Sequence, residues 1–105
     1  RRAGESVAAL LQPRGAAVKR GEVVVCNELG LHLRSAGAFV RTASKFKAQV
    51  RVAAPGVNAV DGKSILGLVT LGAAVGSTLV ITADGPDEAE ALAALVQLVA
   101  GRFGE

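Results

Sequence analysis

Tryptophan, tyrosine and methionine are absent from this 105-residue chain, and the only aromatics are Phe39, Phe46 and Phe103. Single-stranded nucleic acid is held on clustered aromatic platforms, and three scattered phenylalanines do not build one. Cysteine and histidine occur once each, as Cys26 and His32. One cysteine cannot close an intramolecular disulfide, and one cysteine with one histidine is no zinc ligand set. No metal and no cofactor are therefore expected, and the expected compartment is reducing, the cytoplasm. No apolar run approaches the roughly 20 residues of a membrane span, so no membrane insertion is expected. Arg1-Arg2 followed by Val7-Ala8-Ala9-Leu10-Leu11 resembles a signal start, but that apolar run is too short for an h-region. Without a methionine, Arg1 is not expected to be an ordinary start; the chain is a fragment or its true beginning lies elsewhere.

What is present is a folding domain's composition. Half of the residues are hydrophobic and 20% are charged, too few charges for a disordered chain. The formal net charge is +3, which by itself points toward nucleic acid. Its placement points elsewhere. Residues 1–20 hold five basic side chains against Glu5, a net +4, while residues 21–105 hold seven basic and eight acidic ones, a net −1. The basic character belongs to a leader or linker, residues 1–20, expected to be poorly ordered with at most one helical turn near Val7–Leu11. Residues 21–105 form the single domain, and no nucleic-acid partner is expected.

Periodicity orders the domain. Glu22–Asn27 is a β-rich run bounded by Gly21 and by Glu28-Leu29-Gly30. From Ser35 to Lys45, Ala36, Phe39, Val40 and Ala43 fall on one helical face. Ala48–Ala53 alternates as a half-buried strand, Pro55-Gly56 turns it, and Asn58–Asp61 returns. Ser64–Leu71 carries Ile65, Leu68 and Leu71 three apart, a short helix closed by Gly72. Thr78–Ala83 is a further strand. Asp84 is the expected N-cap of a last helix, whose stripe is Ala89, Leu92, Leu95, Val96 and Val99 and which Gly101 ends. The order β-α-β-β-α-β-α fits an antiparallel sheet with helices on one face.

His32 stands in Gly30-Leu31-His32-Leu33-Arg34-Ser35, between a strand end and a helix start. Gly30 lets the chain turn sharply. The mouth of a helix offers free N–H groups and a positive dipole end to an anion, and Arg34 can fork onto phosphate oxygens. A neutral imidazole nitrogen can attack phosphorus there, whereas hydrolysis would need a second histidine, an acidic pair or a metal set that the loop lacks. A histidine with no duty is the plainer alternative.

Gly30-Leu31-His32-x-Arg34, Phe39-Val40 and Lys63-Ser64-Ile65-Leu66-x-Leu68-x-Thr70-Leu71-Gly72 carry a resemblance. From Glu22 to about Gly101 the chain resembles the histidine-containing phosphocarrier (HPr) family of the bacterial phosphoenolpyruvate:sugar phosphotransferase system. The resemblance implies an α+β fold, an open-faced sandwich of four antiparallel strands with three helices on one face. It implies that His32 is phosphorylated on Nδ1 by Enzyme I, itself charged from phosphoenolpyruvate, and passes the group to IIA domains of sugar permeases. Arg34 would steady the phosphoryl group. Such a protein is a stoichiometric relay, not an enzyme. Ser64 matches the family's regulatory serine, the target of HPr kinase/phosphorylase, and is equally an ordinary N-cap. Leu33, Ile65 and Leu66 match an apolar docking patch, with core packing as the alternative for Leu66, and Arg41 matches a basic position beside it. Three departures bear on partner choice. Ser35 replaces the usual proline and either loosens the loop or adds a cap, Gly37 interrupts the first helix, and Gly67 replaces a common basic residue. The alternative function is a regulatory HPr paralogue acting by partner binding, in a nitrogen-type branch or through Ser64.

Overall fold

Alternating apolar spacing gives way to three- and four-residue spacing, and back again, along the whole length described. The computed structural model describes residues 18–105, so the turn expected near Val7–Leu11 and most of the basic leader lie outside the described residues. The elements are β1 (Lys19–Val24), α1 (Leu33–Ala43), β2 (Gln49–Ala54), β3 (Val57–Asp61), α2 (Ile65–Leu71), β4 (Thr78–Asp84) and α3 (Glu88–Ala100), followed by a 3₁₀ turn at Arg102–Gly104. The sheet order is β1-β4-β2-β3, with every neighbouring pair antiparallel. The fold is the expected open-faced sandwich.

Most elements lie within two residues of the sequence reading (α1 is Leu33–Ala43 where the spacing predicts Ser35–Lys45), and the two larger differences, at β1 and at the start of α3, have physical reasons. β1 runs from Lys19 to Val24 instead of Glu22 to Asn27, because Lys19 and Arg20 pair with Ala83 and Thr82 of β4. Counted from Lys19, nine basic and eight acidic residues leave a net +1. Asp84 is not a helix cap but the last residue of β4, paired with Gln49. The residue at the start of α3 is Asp87, whose carboxylate turns away from its own helix. Its Oδ2 and Oδ1 accept the backbone N–H groups of Lys47 and Ala48, each at 2.8 Å. Those donors, chiefly the Lys47 N–H, hold the Asp87 pKa below its ordinary value.

Period-2 burial on the strands and helical burial on the helices meet in one core. Val50 and Val52 from β2 and Leu79 and Ile81 from β4 pack beneath Phe39 of α1, Leu68 of α2 and Leu95 and Val99 of α3, all fully buried. That core fixes where α1 begins, and α1 begins at the site.

Candidate functional site

The site starts with a glycine. Gly30 has φ +71°, and a Cβ there would lie 2.5 Å from the Ala73 carbonyl oxygen, the atom that accepts the Leu31 N–H at 2.8 Å. Any other residue would push the chain off that contact. Leu31 is thereby buried against the core, and the next residue, His32, is left at the helix mouth.

His32 is the N-cap of α1, with extended backbone (φ −127°, ψ −175°). Its carbonyl accepts the Ala36 N–H at 2.8 Å, the first turn of the helix. Its ring does what a serine or aspartate oxygen does at most caps: Nδ1 accepts the Arg34 N–H at 3.3 Å. The opposite nitrogen, Nε2, lies 2.9 Å from Glu105 Oε2. Ser35 closes the cap from the other side. Its fully buried hydroxyl accepts the His32 N–H at 2.9 Å and lies 2.9 Å from the Gly30 carbonyl and 3.2 Å from that of His32, which share its proton. The serine in place of proline is a second cap.

The other expected residues fall around this centre. Arg34 is exposed on the first turn of α1, and among the described residues its guanidinium has no hydrogen-bond or ion-pair partner. Arg41 is two turns further along the same helix and so shares its face, about 10 Å away. Its Nη1 lies 3.4 Å from where a Cβ at Gly37 would be, so the side chain folds back over Gly37 toward the helix start. Leu33 and Leu66 are 69% and 78% exposed, and Ile65 is exposed as well, so core packing does not account for Leu66. Ser64 caps α2, its Oγ accepting the Gly67 N–H at 3.0 Å. A Cβ at Gly67 would stand 3.3 Å from both that Oγ and Val60 Cβ, so the position is crowded as well as uncharged. α2 packs against α1, yet no hydrogen bond joins the Ser64 group to the His32 group among the described residues.

Two residues of the site are missing from the sequence reading. Asn27 is buried, and its Nδ2 donates to the Gly30 carbonyl at 2.7 Å and to Glu105 Oε1 at 3.1 Å. Glu105 reaches His32 from 73 residues away. Asn27 carries only the ordinary turn signal of an asparagine at a strand end, and no local spacing announces Glu105.

Chemically, the arrangement presents a nitrogen lone pair at a helix N-terminus, with a guanidinium two residues on that is unpaired among the described residues. That suits transient bonding to an anionic group, and the one other acid-base group in contact with the ring among the described residues, Glu105, is engaged on the opposite nitrogen, Nε2. Among the described residues no group of three or more His, Cys, Asp or Glu could hold a metal, and no helix is long and apolar enough to cross a membrane.

Comparisons with known proteins agree with the geometry. A family model described as the PTS HPr component phosphorylation site matches residues 19–101. The phosphocarrier protein HPr of Cupriavidus necator is 44% identical over 84 residues, covering 80% of this chain and 93% of the relative. That of Neisseria meningitidis is 47% identical over 83 residues, covering 79% and 92%. The crystal structure of HPr-C-His from Thermoanaerobacter tengcongensis is similar with a TM-score of 0.78 at 42% identity, covering 83% of this chain and 97% of that one.

Proposed function

Because this chain belongs to the HPr family of phosphotransferase-system phosphocarriers, we propose that it carries one phosphoryl group on Nδ1 of His32. The donor is Enzyme I, charged from phosphoenolpyruvate, and the acceptors are IIA components of sugar permeases in the cytoplasm. The Nδ1 lone pair forms the new N–P bond while the bond from phosphorus to the donor breaks, and transfer to the IIA domain reverses the sense. The observation that carries this reading is the cap itself: Nδ1 is the acceptor of the Arg34 N–H, at a helix end suited to anions. Once Nδ1 is bonded to phosphorus, that N–H is free to donate to a phosphoryl oxygen, and the Arg34 guanidinium can fork onto the others. The protein turns nothing over by itself.

Leu33, Ile65 and Leu66 form the apolar part of the docking surface in this reading, with Arg34 and Arg41 meeting acidic partner residues. Ser64 is the regulatory position for a serine kinase such as HPr kinase/phosphorylase. A phosphate there adds about −1.5 to −2 charge at the start of α2 and repels acidic partners.

Incubation with Enzyme I, phosphoenolpyruvate and magnesium, read by intact mass, tests the proposal. One acid-labile phosphoryl group is expected on the parent protein and none on His32→Ala. A stable adduct, or one that survives the substitution, overturns it.

A further inference from the structure

The contact between His32 and Glu105 joins residues 73 apart in the chain, and the backbone leading to Glu105 lies outside the ordinary range. After α3 ends, Arg102 and Phe103 both take left-handed conformations (φ +60° and +57°), and Gly104 follows at φ +81°. Neither arginine nor phenylalanine adopts that region without an opposing gain. Phe103 supplies one, since it is 5% exposed and belongs to the main core. The end of α3 is docked beside the same loop, with Cys26 Sγ 3.5 and 3.4 Å from the Val99 and Ala100 carbonyls.

A second oddity sits beneath the contact. Asn27 is 1% exposed, and its Oδ1 has no hydrogen-bond partner among the described residues. Buried polar atoms are rarely left so. Rotating the amide does not help, because Nδ2 already faces two acceptors, the Gly30 carbonyl and Glu105 Oε1, and an oxygen in its place would repel both. The orphaned oxygen accompanies an orientation that is needed to hold Glu105.

We infer that Glu105, held by Asn27 and by the Phe103 anchor, is a positioning residue for His32: it fixes the ring tautomer and offsets the charge the ring acquires in phosphoryl transfer. The inference rests on the phosphocarrier reading above. A carboxylate only accepts hydrogen bonds, so the 2.9 Å contact places the ring proton on Nε2. The Arg34 N–H requires the lone pair on Nδ1. Two independent contacts therefore assign one tautomer, the one with Nδ1 as nucleophile. When Nδ1 bonds to phosphorus, its lone pair is consumed, Nε2 keeps its proton, and the ring becomes cationic. No proton need move. The Glu105 carboxylate then faces a full positive charge, as the aspartate of a Ser-His-Asp triad faces its imidazolium.

The experiment uses the full chain with ring-¹⁵N-labelled histidine, in alkaline buffer where imidazoles are neutral. In the parent protein the ¹⁵N shifts are expected to report one tautomer, protonated at Nε2. In Glu105→Ala they should move toward the averaged values of a free imidazole, with backbone amide signals elsewhere unchanged. Phosphoryl uptake from Enzyme I should slow about tenfold in Glu105→Ala, and also in Glu105→Gln, which lacks the charge. Unchanged ring shifts in folded Glu105→Ala overturn the inference, as does uptake at the parent rate in both variants. Failure of the parent protein to take up phosphoryl at all, with its single tautomer intact, would defeat the phosphocarrier reading instead.

Discussion

Ser35 does with a hydroxyl what proline does with a ring. Proline at the start of a helix presets φ and removes an orphan N–H. Ser35 instead gives the His32 N–H an acceptor at 2.9 Å and ties back to the Gly30 carbonyl at the same distance, from a fully buried position. The loop that carries His32 is thus held by hydrogen bonds that cross it, not by restriction of one dihedral. Ser35→Ala keeps the volume nearly constant and leaves the His32 N–H unpaired. The expected loss is about 1–3 kcal/mol of unfolding free energy, measured by urea denaturation, with slower phosphoryl uptake at His32. A loss under about 0.5 kcal/mol, the scale of an ordinary surface change, would mean that solvent satisfies the loop without the serine.

At the scale of elements, what could be read from sequence is what each segment decides locally. Phe39 with Ala36 and Ala43, and Val50 with Val52, declare a helix and a strand by spacing alone, and both are buried as those spacings require. Ser64 and Gly72 mark the two ends of α2 and occupy them, Gly72 at φ +62°. The proposed pair His32 and Arg34 stood out in the sequence because an imidazole, a helix start and a cation lie within three residues. Asp84 misled for the opposite reason. Aspartate before Pro86 is a good cap by composition, but the β4 ladder with Gln49 claims it, and sheet pairing is a tertiary matter. Asn27 and Glu105 were illegible on the same ground, since only the folded core brings Glu105 to the loop. Gly37 shows how a local cost is decided by surroundings. It lies inside α1, where glycine is disfavoured relative to alanine by roughly 0.5–1 kcal/mol, and an added Cβ would meet only Arg41 Nη1, at 3.4 Å. That is ordinary contact with the far end of a flexible side chain. Gly37→Ala is therefore expected to stabilise the protein by up to about 1 kcal/mol in urea or thermal unfolding, leaving phosphorylation of His32 intact. Destabilisation would show that Arg41 cannot yield.

Beyond the core, the start of α3 is tied to the sheet by the Asp87 carboxylate, and that gives the stability of the whole molecule a pH dependence. Asp87 leads into α3, but both its oxygens are bound to the backbone entering β2, at Lys47 and Ala48, so it fastens the last helix to the middle of the sheet. The acidic first turn that follows, with Glu88 and Glu90, suits the helix dipole, and Asp87 sits at the same end. Accepting the Lys47 N–H, and to a lesser degree that of Ala48, favours the ionised carboxylate and lowers its pKa in the folded protein. The folded state then binds fewer protons than the unfolded one, so stability from this group rises with pH. It is fully present above the ordinary aspartate value of about 3.9 and is lost as pH falls through the lower folded value. Asp87→Asn offers one acceptor oxygen where there were two, and its amide group would face an N–H. At neutral pH the variant is expected to unfold at lower urea than the parent. The gap between the two midpoints should begin to narrow as pH drops below about 4, where the unfolded carboxylate takes up its proton. It should close further once pH falls through the lower folded value and the folded carboxylate is protonated too. A gap that stays constant down to acid pH would show that the charge is immaterial and that only the shape of the side chain fastens α3 to the sheet.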